Sequence, residues 1–401
     1  MKERLMFQNA HHVRQSESVV TMMSDVIIAL LPIYFMAFFY HGARSLVLGL
    51  FGVIFCCALS LLGSILLHEK PIPDFTPIIT GLMIPLLLPA DIPYYVLFSA
   101  CVVAIFVVKV PFGGTGYNLF NPAAVGFASV AICWPDLVFR YPVTMQPLEI
   151  FGESAVKLAQ GPAYSLSLGA VPDYNILDML LGSAPGPMGA TNILVVAACG
   201  IFLIVKKAVN WITPFAFFVP YSALCMLFPR ISVTGFESLC YELFSGAIVF
   251  GAFFMLTDPV TSPKRDFGKL MAGIFSAVAV FLFRYFGGFE MGFASALIVM
   301  NVFSPIFDTV CEKVLHAYRH RKSLFAKIKD SAKPAPKKEE EKPVVRVIEK
   351  TEEPEVIEEI SEETPEKTEE EVSEETPEEI PEEIDLSEDT EEKEEEEAVQ
   401  L

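Results

Sequence analysis

The chain has 401 residues, 53% of them hydrophobic, with 34 Phe, a mean hydropathy of +0.47 and a formal net charge of −20. The charge is segregated: residues 1–330 hold 21 Lys+Arg and 19 Asp+Glu, whereas residues 331–401 hold 8 and 30. An apolar, nearly neutral body with an acidic extension excludes a soluble acidic enzyme, a nucleic-acid binder and a disulfide-stapled secreted module.

The body reads as helices in lipid. A crossing helix needs about 20 mostly apolar residues, and its backbone polar groups must be satisfied within the segment. Ten runs qualify in chain order: 25–41, 45–67, 76–90, 93–110, 119–134, 191–207, 211–228, 243–257, 269–286 and 291–311. The expected fold class is therefore all-α, a polytopic membrane protein of about ten transmembrane helices in a membrane domain over residues 1–330. The third run is short and carries Pro77, Pro85 and Pro89, so a broken or re-entrant helix is expected there. With the N-terminus inside, fourteen Lys/Arg fall in inside segments and five in outside segments, which places both termini in the cytoplasm by the positive-inside rule.

One connection differs from the rest. Residues 135–190 form a long outside loop rich in both apolar and turn residues, expected to be ordered and to cover the outer face. From Ser331 onward the sequence is low-complexity Glu/Pro/Lys/Thr, with Glu-Glu-Thr-Pro-Glu repeated at 362–366 and 374–378. It is expected to be a disordered acidic cytoplasmic tail, since it offers too little apolar surface to offset ordering entropy. The eight cysteines contain no Cys-x-x-Cys and lie mostly within the apolar runs, so they read as packing residues and no metal ligand set is expected.

Three stretches could carry chemistry. The first is Gly113-Gly114-Thr115-Gly116-Tyr117-Asn118-Leu119-Phe120-Asn121-Pro122-Ala123. Its glycines permit close backbone approach to a ligand or another helix, and Asn121 followed by Pro122 has the chemistry of a helix N-cap. The second is Thr257-Asp258-Pro259-Val260-Thr261-Ser262, a carboxylate and hydroxyls where the eighth run ends. It reads either as part of an ion or cofactor site or as a helix terminator. The third is Gly186-Pro187-Met188-Gly189-Ala190-Thr191, at the mouth of the sixth run, where amides and Thr191 could grip a phosphate or form a turn and cap. Arg284 and Glu290 flank a glycine-containing turn, Asn301 is polar inside the last run and Asp308 lies near its inner end. No Ser/His/Asp triad, His-rich motif or paired carboxylate set is visible, so no catalytic residue is assigned.

The first two stretches, in that order and with Phe286-Gly287-Gly288, resemble the D subunit of the Rnf electron-transport complex, related to the B subunit of the sodium-translocating NADH:quinone reductase. The resemblance runs through about residue 320 and leaves out the acidic tail. It implies a component of a bacterial inner-membrane complex that couples electron transfer between ferredoxin and NAD to sodium or proton translocation, partnered by the other Rnf subunits. It also implies FMN joined through its phosphate to a threonine in the outer loop. Thr191 is the candidate acceptor, with Thr144 and Ser165 as alternatives and the absence of a covalent flavin as the remaining one. The chain departs from the family's Ser/Thr-x-Ala-Thr acceptor pattern, having Met188 at the first position and Asn192 after Thr191. Gly113, Gly114, Asn121, Thr257 and Asp258 are the further cofactor-binding candidates. Catalysis by this chain alone is not expected, because it has neither an NAD-binding fold nor cluster ligands. The alternatives are a non-redox scaffold in the same complex and a secondary transporter, the latter suited by broken helices.

Overall fold

The computed structural model describes residues 19–68, 74–113, 116–152, 157–287 and 290–331. Gly114 and the acidic extension beyond Ser331 therefore lie outside the described residues. Ten apolar helical segments coincide with the ten apolar runs, and they fall into two length classes. Five are long and apolar enough to cross a bilayer: α1 (Val19–His41), α2 (Ala43–Leu66), α4 (Tyr94–Val102, continuing to Phe112), α13 (Asp266–Gly287) and α14 (Gly292–Ser331, apolar through Tyr318). The shorter ones are α3 (Thr76–Leu87), α5 (Pro122–Cys133), α9 (Ile193–Val205), α10 (Ile212–Leu227) and α12 (Ile248–Phe250, continuing as a π-helix to Met255). The chain is an all-α, multi-pass membrane protein. It is not ten uniform crossings, because 12-residue helices such as α3 and α5 reach only about 18 Å at 1.5 Å per residue.

Two of the departures from a full crossing have a local cause. Pro89 follows the end of α3, whose last hydrogen bond runs from Leu88 N to Pro85 O. Seven of the last eight residues of α3 (Thr80–Leu87), all but Leu82, are buried, so protein rather than lipid encloses this half-length element. The eighth apolar run, expected as one span over 243–257, is broken. α11 (Gly235–Phe244), with a Thr234/Glu237 capping box, is bent by 73° from the Ile248–Met255 segment across Ser245–Ala247, with Gly246 at φ +66°. The final helix extends well beyond the expected end at residue 311.

The long connector is structured, as expected. It contains α6 (Pro135–Val138), an antiparallel hairpin of β1 (Arg140–Pro142) and β2 (Leu158–Gln160), α7 (Pro162–Ser167), α8 (Ile176–Leu181) and a 3₁₀ turn at Met188–Ala190. Arg44, buried at the start of α2, fastens it down. Its guanidinium donates to the carbonyls of Glu149 (2.9 Å), Gly152 (3.1 Å), Asp91 (2.9 Å) and Ile92 (3.3 Å).

The largest interfaces pair α10 with α13, α2 with α3, and α13 with α14. In lipid such contacts depend on close packing, which favours small residues at the crossing. Gly52 of α2 and Gly81 of α3 show this: a Cβ on Gly52 would lie 2.3 Å from Gly81 O, and one on Gly81 would lie 2.5 Å from Gly52 O. Tyr34 adds a tie from α1 to α3 by donating to Leu82 O at 2.7 Å. Replacing Gly81 by Ala should therefore destabilise the bundle by about 1–3 kcal/mol, as overpacking does. The check is a lower thermal unfolding midpoint in detergent, with Gly186→Ala as a control where a Cβ meets nothing.

Candidate functional site

Two of the sequence stretches meet at the face opposite the connector. α4 leaves its α-helical geometry at Val103 and runs as a π-helix to Lys109, then a 3₁₀ turn ends at Gly113 (φ +92°). The chain turns again at Gly116 (φ +92°) and enters α5 at Pro122. Asn121 caps α5, as its position predicts: its Oδ1 accepts from Ala124 N at 3.2 Å. Its Nδ2 faces the second stretch, 3.5 Å from Met255 O and 3.4 Å from Asp258 Oδ2. One side chain thus satisfies the start of one half-length helix and the end of another.

Asp258 closes the chain after the π-helix. Its Oδ1 accepts from Val260 N and its Oδ2 from Thr261 Oγ1, both at 3.2 Å. Burial pushes its carboxyl above the usual range, and these two donors offset part of that. Thr257 is buried and spends its hydroxyl on Phe253 O at 2.6 Å, so it contributes a wall rather than a free donor.

These residues line an open cleft with a cavity volume of about 100 Å³. Its walls are apolar, including Met83, Leu203, Phe253 and Phe254. Its polar groups are few: Asn118, Asn121, Asp258, Thr80 and a pair that sequence reasoning missed, Lys109 and Thr76. In that pair Lys109, 5% exposed, donates to Asp74 Oδ2 at 2.8 Å and to Thr76 Oγ1 at 2.6 Å. The signal in the sequence is a lysine ending an apolar run, which a charge count treats only as a marker of topology. Asn118 Oδ1 is buried without a hydrogen-bond partner.

The other candidates lie elsewhere. Thr191 is 3% exposed and donates to Met188 O at 2.9 Å within the turn that enters α9. Asn192 caps α9 by accepting from Val195 N at 3.0 Å, which is the turn-and-cap reading of this stretch. The turn has no slack, since a Cβ on Gly182 would fall 1.6 Å from Thr191 O. Thr144 is also buried and donates to Ser183 O at 2.7 Å, while Ser165 is half-buried in α7. Asn301 is buried with neither amide atom hydrogen-bonded, and it does not line the cleft. Asp308 instead caps the chain ahead of α13, accepting from Lys264 N at 3.1 and 3.2 Å. Near the connector, Arg284 of α13 donates to Glu242 O (2.8 Å) and Ser245 Oγ (2.6 Å), and Glu242 pairs with Arg230 at 3.2 Å. Among the described residues no group of three His, Cys, Asp or Glu is placed to hold a metal ion.

Breaking the Lys109–Asp74 pair from one side leaves a buried charge. Lys109→Met should cost about 3–5 kcal/mol, and adding Asp74→Leu should restore much of it. Thermal unfolding of the two single variants and the double variant measures the coupling.

The model of the family described as NQR2, RnfD, RnfE matches residues 6–316. A Clostridium ljungdahlii protein, named as the D subunit of a proton-translocating ferredoxin:NAD(+) oxidoreductase complex, is 30% identical over 315 residues, covering 76% of this chain and 93% of that protein. The D subunit of an ion-translocating oxidoreductase complex from Actinobacillus succinogenes is 29% identical, covering 74% and 93%. The D subunit of a Na(+)-translocating ferredoxin:NAD(+) oxidoreductase complex from Acetobacterium woodii is 28% identical, covering 82% and 98%.

Proposed function

Because the chain belongs to the NQR2, RnfD, RnfE family, we propose that it is a membrane subunit of a multi-subunit complex that couples electron transfer between ferredoxin and NAD to sodium or proton translocation. The other subunits bring the ferredoxin and NAD sites. The chain lies in the bacterial cell membrane with the connector at the exterior and both termini in the cytoplasm, the orientation that the Lys/Arg distribution supports.

The cofactor expected from the resemblance is a flavin, and the residues offer two places for it. A phosphoester at Thr191 would need the 182–192 turn to open, because the hydroxyl is sealed in and already bonded within that turn. The cleft at the opposite face suits the flavin ring better, and we place the cofactor there without a covalent bond. Phe253, Phe254 and Met83 supply apolar surface for a planar ring, and the unpartnered Oδ1 of Asn118 can accept from an N–H on its edge. The single observation that carries this reading is the unpartnered, buried Asn118 Oδ1 on the wall of this mostly apolar cleft. Bound there, a flavin supplies one- and two-electron chemistry. The protein's part is to hold the ring, keep water from it and set the charge around it with Lys109 and Asp258.

The test is to purify the full chain within its membrane complex, denature it, and follow the flavin by absorbance and by in-gel fluorescence. The expected outcome is flavin released into solution from this chain, lost in Asn121→Leu and unchanged in Thr191→Ala. Fluorescence that stays with the denatured chain and disappears in Thr191→Ala would move the cofactor to the connector. A chain with no flavin in either form would instead leave the scaffold role.

A further inference from the structure

Near the connector, a carboxyl group is buried where the family reading gives it nothing to do. Glu290 sits in the turn between α13 and α14. Its Oε2 accepts from the Tyr141 hydroxyl of β1 at 2.6 Å. Its Oε1 is sealed from solvent and makes no hydrogen bond, although the Tyr164 amide, already donated to Gly161 O, lies near it. Gly161 leaves the space for this arrangement: a Cβ there would fall 2.8 Å from Glu290 Oε1 and 3.0 Å from the Tyr141 ring.

The carboxyl borders a cavity of about 20 Å³ lined by Leu87, Phe127, Phe293, Ala247 and Met255. One water needs about 10–15 Å³ on that measure, so a single water fits beside Glu290. The site is too poor in oxygen for a metal cation, since hard cations collect about six oxygen ligands and most of this lining is hydrocarbon. A proton needs only the one free oxygen and the water.

We propose that Glu290 is a proton-binding site. Its carboxylate takes a proton from a protonated water in the cavity, leaving water and a neutral carboxyl group, and returns it by the same route. When ionised, Glu290 holds the Tyr141 hydroxyl as acceptor. When neutral, it holds that hydroxyl more weakly, so proton uptake loosens the link between the hairpin and the α13–α14 turn. Met255 lines the small cavity, and its carbonyl receives the amide of Asn121, which lines the cleft at the other face.

The surroundings give the sign of the titration. Among the described residues, the polar groups facing Glu290 are Tyr141 from β1, the Tyr164 amide from α7 and Arg284 from α13, while α3, α5, α14 and the α11–α12 break present apolar or main-chain surface. All three polar groups favour the carboxylate. The Arg284 charge is offset by Glu242, 3.4 Å away. Burial outweighs them and pushes the Glu290 carboxyl up to about 7. A carboxyl raised in this way is indifferent to pH below its unfolded value and destabilises the fold increasingly as pH climbs towards about 7.

Infrared difference spectra of the whole complex, titrated in pH, test this directly. The expected result is a protonated-carboxyl band with a midpoint near pH 7, absent in Glu290→Gln and displaced upward by roughly one pH unit in Tyr141→Phe, which removes a donor to the carboxylate. Thermal unfolding gives a second readout: the advantage of Glu290→Gln over the native chain should grow as pH rises towards about 7. A band that persists in Glu290→Gln, or one that responds to sodium at fixed pH, overturns the proposal. If Glu290→Gln does not assemble, an unmoved midpoint in Tyr141→Phe overturns it alone.

Discussion

The constraint on which this structure depends is that a helix too short to cross the membrane must have its ends satisfied by protein. An unpaired backbone group in hydrocarbon costs several kcal/mol, and no water is present to take its place. Here the α5 start and the α12 end face one another, and Asn121 serves both, accepting from Ala124 N while its amide reaches Met255 O and Asp258 Oδ2. Asp258 completes the arrangement by receiving Val260 N and Thr261 Oγ1. Because these side chains occupy helix ends inside the bundle, the space between the ends is polar at its edge and apolar along its walls. A cleft with apolar walls and a polar edge follows from helix termination itself.

The long helices make such interior ends possible. α1, α2, α13 and α14 put large apolar side chains such as Phe35, Leu50, Ile274 and Ile306 on the surface, where lipid covers them. Within this ring α3 and α12 are almost wholly buried, and glycine contacts such as Gly52–Gly81 and Gly200–Phe253 bring backbones and rings together at close range. Lipid then need not solvate irregular backbone, and the π-helical turns at 103–109 and 251–255 are held by their neighbours. Such turns are common at functional sites, and both of these border the cleft through Lys109, Phe253 and Phe254.

The connector is secured by a different device, buried charge. Arg44 donates to the Glu149 and Gly152 carbonyls of the connector, and Glu290 accepts from Tyr141 of its hairpin. These join segments far apart in the chain, so they fix the connector against the helix ends without needing a large apolar core. Hydrogen-bonded charges of this kind contribute more to geometry than to net stability, because desolvation offsets much of their attraction. The same segment leaves Phe151, Leu168 and Leu177 exposed.

The sequence by itself determined the class of protein, the ten apolar segments, an ordered connector and the capping role of Asn121, since run length, charge bias and the Asn-Pro signal are local properties. The terminator reading of Asp258 is local too. Only the tertiary structure decided that half of the apolar segments are short of a full crossing, because a buried helix and a lipid-facing one have the same hydropathy. It also decided which charges meet. Lys109 with Asp74, Arg284 with Glu242 and Tyr141 with Glu290 are 35, 42 and 149 residues apart, and no periodicity in a single chain carries information over that separation. Thr191 shows the converse: its neighbours in sequence suggest a reactive hydroxyl, and its neighbours in space turn that hydroxyl inward onto Met188.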